Sequence, residues 1–318
     1  VGMKSVLRTV VRLLFKPLLS PRVPLAVQRV GSKAAGVLSK FPPGTQPTRV
    51  DMNGVPGLRY RTHGSTNGKA LLFLHGGAYV LGGPASHGAL AAQLGDAAGA
   101  TTYLPDYSLA PEHPYPAATE DAVAAYRWLL QSYPAEGIVI AGDSAGGNLA
   151  LATAMILRDK GLPLPAALAL ISPWIDLTHS GDSASSRAAR DPMLSVAWLS
   201  ACARHYARNV DPGDPRISPL FGRIEGLPPM LIHVGSEEVV LSDAERLAER
   251  ARAAGVPAEL RVFEGLWHDF QLHAGQLAEA DESIAGLGRF LRERMKAVSE
   301  QSARSAPLAP LKQLNARH

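Results

Sequence analysis

Gly142-Asp143-Ser144-Ala145-Gly146 stands between the apolar run Gly137-Ile138-Val139-Ile140-Ala141 and the helix-forming stretch Asn148 to Leu157. A strand that hands over to a helix through G-x-S-x-G turns so tightly that only hydrogen fits as the side chain at either glycine. Ser144 is then held out from the sheet in a strained backbone conformation, and the helix behind it aims its N-terminal amides at the same point. In a chain with 30 glycines the pentapeptide alone carries little weight, so the strand before it and the helix after it decide the reading.

A second glycine turn, His75-Gly76-Gly77-Ala78, closes the strand-like Ala70-Leu71-Leu72-Phe73-Leu74. A serine that attacks an acyl carbon creates a tetrahedral oxyanion, and preorganised backbone amides in a side-chain-free turn stabilise it. The amides of Gly76, Gly77 and Ala145 are assigned to that oxyanion hole, and His75 to structural hydrogen bonding. A G-x-S-x-G elbow requires an acid and then a histidine later in the chain, on loops after the last strands. His268 in Leu266-Trp267-His268-Asp269-Phe270 follows the strand-like Ala258 to Phe263 and takes the place of the general base. The strand Met230 to Val234 ends at Gly235-Ser236-Glu237-Glu238, where a buried carboxylate would fix the imidazole tautomer. Glu237 and Glu238 compete for that role, and Asp243 suits the start of the following helix better.

These segments, with Asp106-Tyr107-Ser108-Leu109-Ala110-Pro111-Glu112 and Ser172-Pro173-Trp174-Ile175-Asp176-Leu177, resemble the bacterial hormone-sensitive lipase family of esterases over residues 69 to 272. The resemblance implies an α/β-hydrolase fold and a family IV carboxylesterase acting on short- to medium-chain esters, with the triad Ser144, Glu238 and His268. Two departures stand out. The acid is usually Asp followed by Pro-Leu, but here Glu238 precedes Val239-Val240, and Tyr107-Ser108 replaces the usual Tyr-Arg.

Strand-like runs fall at 48–52, 58–62, 69–75, 101–105, 137–141, 166–171, 230–234 and 258–263, with helical patterns at 87–98, 117–132, 145–160, 242–254 and 279–297. Such alternation predicts a mostly parallel eight-stranded sheet flanked by helices, with ligands beyond the carboxyl ends of the strands. Two stretches break the pattern. Residues 1–45 and 178–225 are expected to form a helical cap, on what the resemblance implies, around a catalytic domain of 46–177 and 226–302. Tyr79, Trp198, Leu199 and Tyr206 are candidates for the substrate pocket, with cap core as the equal alternative for the last three. Residues 303–318 are expected to be a disordered tail, and Met3 reads as a start residue behind two vector-derived ones.

The formal charge of +4 hides an asymmetry: residues 1–50 hold nine Lys or Arg and no acid, residues 303–318 hold three and none, and 51–302 therefore carry −8. No aromatic-interleaved basic motif points to nucleic acid, so none is expected as a partner. Lys4, Arg8, Arg12 and Lys16 lie on one helical face with Val6, Leu7, Val10, Val11, Leu13 and Leu14 around the rest, until Pro17 is expected to interrupt. Cap is preferred over a membrane-surface anchor for this helix; it is too broken by charge for a secretory signal and far short of a span, so no stable membrane insertion is expected. Metal-ligand spacing, a Walker loop and a dinucleotide fingerprint are missing, so no cofactor and no metal are expected. The one cysteine, Cys202, reads as a buried hydrophobe and fits a cytoplasmic setting. An edge strand at 258–263 would permit a homodimer. An interfacial lipase, a peptidase or amidase and a non-catalytic receptor on the same fold remain as alternatives.

Overall fold

The computed structural model describes residues 2–36 and 39–296; the expected tail at 303–318 lies outside them. All eight expected strands occur, with ends shifted by at most two residues: β1 (Gln46–Asp51), β2 (Pro56–Arg61), β3 (Ala70–Leu74), β4 (Thr101–Pro105), β5 (Ile138–Asp143), β6 (Leu168–Ile171), β7 (Met230–Gly235) and β8 (Ala258–Phe263). They form one sheet in the order β1-β2-β4-β3-β5-β6-β7-β8. β1 and β2 pair antiparallel, as do β2 and β4, and the other pairs are parallel.

The central strands β3 and β6 are apolar without interruption, and β5 is so up to its last residue, because both of their faces are covered. Leu72, Leu74, Ile138, Ile140, Leu168 and Leu170 point into one layer, packed by α5 (Ala117–Leu129), α6 (Ala145–Asp159) and α9 (Leu241–Ala253). Their chain neighbours Leu71, Phe73, Val139, Ala141 and Ala169 point into the other, under α4 (Pro84–Ala98) and α10 (Ala278–Arg294). The crossovers bring the ends of β3, β5, β7 and β8 to one rim.

The remaining α-helices among the described residues come from the two stretches that break the alternation. The first holds α1 (Met3–Val10), a π-helical turn at Val11–Phe15, α2 (Lys16–Leu18) and α3 (Leu25–Gly36); the second holds α7 (Ser183–Ser186) and α8 (Val196–Ala207). Trp198 Nε1 donates to Gln28 Oε1 at 2.8 Å and ties the two together. Pro17 does not interrupt the N-terminal helix as expected: the chain stays helical to Leu18. The preceding turn widens so that the Lys16 amide reaches back to the Val11 carbonyl. A widened turn of this kind gives the proline ring room without ending the helix.

Candidate active site

Ser144 joins β5 to α6 with φ 54° and ψ −119°, a conformation costing on the order of 1–3 kcal/mol that the surrounding structure must hold in place. The neighbouring strand does so. Ser144 donates its amide to the Ile171 carbonyl at 2.8 Å and accepts at its carbonyl from the Trp174 amide at 3.1 Å. A Cβ on Gly146 would collide with the Leu74 carbonyl oxygen, which is why the elbow ends in glycine.

Glu238 lies past the end of β7 and is fully buried. Its Oε1 accepts from Ser172 Oγ at 2.7 Å and from the Gly235 amide at 2.5 Å, and its Oε2 lies 2.9 Å from His268 Nδ1. Of the three acids weighed from sequence, it is the one bonded to His268. Glu237 points the other way, into Arg8 Nη2 at 3.1 Å and Arg190 Nε at 3.0 Å, and anchors the N-terminal helix to the body. Asp243 sits in the first turn of α9, and its Oδ2 accepts from the amides of Ile175 and Asp176, each at 2.9 Å. Burial, with Asp176 beside it, pushes the Asp243 carboxyl up to about 8.

The second ring nitrogen of His268, Nε2, lies 3.1 Å from Oδ2 of Asp269, a residue held at φ 51°. Burial works against protonation of His268, but the charge and hydrogen bond of Asp269, joined by those of Glu238, outweigh it and raise the imidazole well above its ordinary value. Further back, His87 Nε2 lies 3.2 Å from Asp143 Oδ2. Asp143, beside the nucleophile position, is therefore part of the buried frame. His75 is too: its ring stacks on Tyr107 at 4.1 Å, and burial lowers it to about 3.

Ser144, His268, Asp269 and His87 open on one cavity of ≈ 180 Å³, whose apolar wall includes Leu7, Val11, Phe15, Leu194 and Trp198. Gly77 and Ala78 line it, whereas Gly76, one of the three amides assigned from sequence, backs onto the Asp143 carboxylate. Its amide helps to hold that carboxyl low, against burial and alongside His87. Among the described residues, the amides of Gly77 and Ala78 have no hydrogen-bond acceptor. Ala78, which sequence reading passed over, thus stands at the cavity where Gly76 was expected; φ at Gly77 and Ala78 is 117° and 53°, so the turn continues one residue further than the paired glycines suggest.

Trp198 reaches the cavity, but Tyr79, Leu199 and Tyr206 stand outside its wall. Tyr79 and Tyr206 stack face to face at 3.7 Å in the core, and Tyr79 donates to Asn148 Oδ1 at 2.9 Å. Asn148 in turn donates to the carbonyls of Trp174 and Ile217, each at 3.0 Å, and so pins the start of α6 to the loops around it. Leu199 is fully buried in the same layer.

Residues 71–272 match the family defined by the alpha/beta hydrolase fold. The chain is 41% identical over 291 residues to the putative acetyl-hydrolase LipR of Mycobacterium tuberculosis, covering 91% of this chain and 94% of that protein. The crystal structure of an esterase from the bacterial hormone-sensitive lipase family superposes with a TM-score of 0.88 at 37% identity, over 92% of this chain and 98% of that one. EstE5, whose crystal was soaked by p-nitrophenyl butyrate, does so with a TM-score of 0.88 at 40% identity, over 93% of this chain and all of that one.

Proposed function

The chain belongs to the alpha/beta hydrolase family, among the esterases of the bacterial hormone-sensitive lipase type, and we propose that it hydrolyses short-chain carboxylic esters through Ser144, His268 and Glu238. The observation that carries these roles is the 2.9 Å bond between Glu238 and His268 beside a cavity that also exposes the strained Ser144. Ser144 Oγ adds to the ester carbonyl carbon as its proton passes to His268 Nε2, which for that step turns from Asp269 to the serine. The amides of Gly77, Ala78 and Ala145 receive the oxyanion. The carbon–oxygen bond to the alcohol breaks and takes the proton from His268. Water then adds to the acyl-enzyme, its proton going to His268 and on to Ser144 as the acid leaves. Glu238 keeps Nδ1 protonated and stabilises the imidazolium throughout.

A cavity of ≈ 180 Å³ is small beside the roughly 300–1,000 Å³ of ordinary small-molecule sites, which favours acetyl to butyryl groups over long chains. The walls given by residues 1–45 and 178–225 support their role as a cap. Among the described residues no helix is long and apolar enough to cross a membrane. The buried, unpaired Cys202 supports a cytoplasmic setting. β8, paired on one side by β7, offers its free edge to a second copy for a homodimer. Hydrolysis of p-nitrophenyl butyrate tests the assignment. Ser144→Ala should lose on the order of 10⁴-fold or more in kcat and all labelling by a fluorophosphonate, with its circular dichroism unchanged. Turnover near that of the parent would overturn it.

A further inference from the structure

Nine large hydrophobic residues are exposed among the described residues, and eight of them lie between Met3 and Phe41. Met3, Val6, Val10, Leu13 and Leu14 come from one helix, with exposures of 39–68%. Spacings of three and four residues put the first three on one helical face. A single exposed Leu needs no explanation; a row of five on one element does.

The helix is not loosely laid on the protein. Lys4 Nζ donates to the Glu264 carbonyl at 2.8 Å, Arg8 Nη2 to the Arg190 carbonyl at 2.9 Å, and Lys16 Nζ to the Asp191 carbonyl at 2.5 Å. Leu7 and Val11 are buried under it. Three cationic side chains are thus turned inward and fix the helix's rotation, and that rotation leaves the apolar row in water. Val10 belongs both to the row and to the cavity wall, so the exposed surface runs on into the mouth of the site. Val27 and Val30 of α3, exposed by 52% and 69%, follow in the next helix.

Charge decides what covers this face. Residues 1–50 carry nine Lys or Arg and no acid, on a protein whose 51–302 carries −8. Arg12, Arg22 and Lys40 are exposed there and make no ion pair among the described residues, whereas Lys33, exposed beside them, acts on the Asp106 carboxyl. A second copy would bring the same positive segment against this one, whereas an anionic lipid surface takes both the apolar row and the cations. We propose that the face built by Met3, Val6, Val10, Leu13 and Leu14 docks the protein onto an anionic lipid–water interface, with the cavity mouth turned toward the lipid. The docking is peripheral, about as deep as one row of side chains.

Flotation of the full chain with vesicles tests it, independently of any ester hydrolysis. Vesicles of phosphatidylcholine alone and of equimolar phosphatidylcholine and phosphatidylglycerol serve as probes, beside the double variant Leu13→Ser/Leu14→Ser, neither residue lying in the cavity wall. The protein should float with the anionic vesicles and much less with the neutral ones, the bound fraction should fall with salt, and the double variant should lose about ten-fold in partitioning. Its p-nitrophenyl butyrate hydrolysis should match the parent's, which separates lost docking from lost folding. The proposal is overturned if the protein stays at the bottom with both vesicles, or if the double variant floats as the parent does. It is equally overturned if the parent sediments as a dimer that the double variant converts to a monomer, because a second copy then covers the row.

Discussion

His268 Nε2 lies 3.1 Å from Oδ2 of Asp269, the next residue in the chain, while Nδ1 lies 2.9 Å from Oε2 of Glu238, so a single buried imidazole is flanked by two carboxylates. Asp143 and His87 lie behind this group, and Asp191 faces it from the loop before α8. The flanking carboxylates raise the imidazole well above its ordinary 6.5, and a protonated imidazole takes no proton from Ser144. A raised value means the proton is kept to higher pH, so kcat/KM should appear only as pH climbs through it. Asp269→Asn removes one of the two negative charges. Its acid limb should move down by about one to three pH units, with activity gained on the acid side and little change on the alkaline plateau. The pH profile of kcat/KM on p-nitrophenyl butyrate checks this, and an unmoved limb refutes the role given to Asp269.

Adjacent glutamates have separate tasks, and their neutral variants should part accordingly. Glu238→Gln leaves His268 Nδ1 without its carboxylate and should cost on the order of 10³–10⁴-fold in kcat. Glu237→Gln breaks the grip on Arg8 and Arg190 but leaves the bond to His268 in place, so kcat on a short ester should stay close to the parent's. What changes instead is the anchoring of the N-terminal helix, read as faster proteolytic nicking before β1. Equal losses of kcat in both variants would contradict the division.

Asp243 stands in the first turn of α9, where its place in the sequence suits it, and is a buried acceptor. One oxygen, Oδ2, takes the amides of Ile175 and Asp176, fixing the turn whose Ser172 holds Glu238. Asp243→Ala leaves two buried donors unpaired and should destabilise by about 2–5 kcal/mol, with a partial loss of activity as Glu238 loosens. Asn offers one oxygen at the same point and should keep both bonds. The carboxyl sits at about 8 in the folded chain, above its ordinary 3.8, so its share of stability is full at low pH and is lost as pH rises through about 8. Asp243→Asn has no such loss, and its Tm should overtake the parent's on the alkaline side. Parallel Tm profiles for the two proteins would show that the carboxyl is not buried as described.

The sheet was legible because its chemistry is local. β3 and β6 are unbroken apolar runs, as suits strands covered on both faces, β5 and β7 are broken only by Asp143 and His233, and the alternation between Leu72 and Phe73 follows from the pleat. That Ser144, Glu238 and His268 lie at one rim was legible for a related reason: each follows a strand, and parallel strands bring their ends together. What escaped depends on backbone angles and on which way a side chain turns. Ala78 replaces Gly76 at the cavity because the turn extends one residue beyond the paired glycines, and no residue type announces that. Asp269 meets His268 only because its φ is 51°. Tyr79 and Tyr206 have the size and polarity of pocket residues, but their stacking on each other is a contact across more than a hundred positions of chain.

Trp198 is the one predicted pocket aromatic that reaches the cavity, and its indole closes the wall between the two cap segments through Gln28. A cavity of ≈ 180 Å³ leaves little room beyond a butyryl chain, so kcat/KM over a series of p-nitrophenyl esters should peak at short acyl groups and fall steeply after them. Each methylene that must be left out of an apolar pocket changes discrimination by about ten-fold or more. Trp198→Leu keeps an apolar side chain and opens the volume of a ring. The octanoyl-to-butyryl ratio of kcat/KM should then rise by at least about ten-fold, with the butyryl value itself little changed. Trp198→Leu also removes the donor to Gln28 and exposes a void, so some Tm loss is expected and must be measured beside the kinetics. If the ratio stays fixed while the protein remains folded, the acyl chain does not lie along Trp198, and the short-chain preference must be set by Leu194 and the N-terminal helix instead.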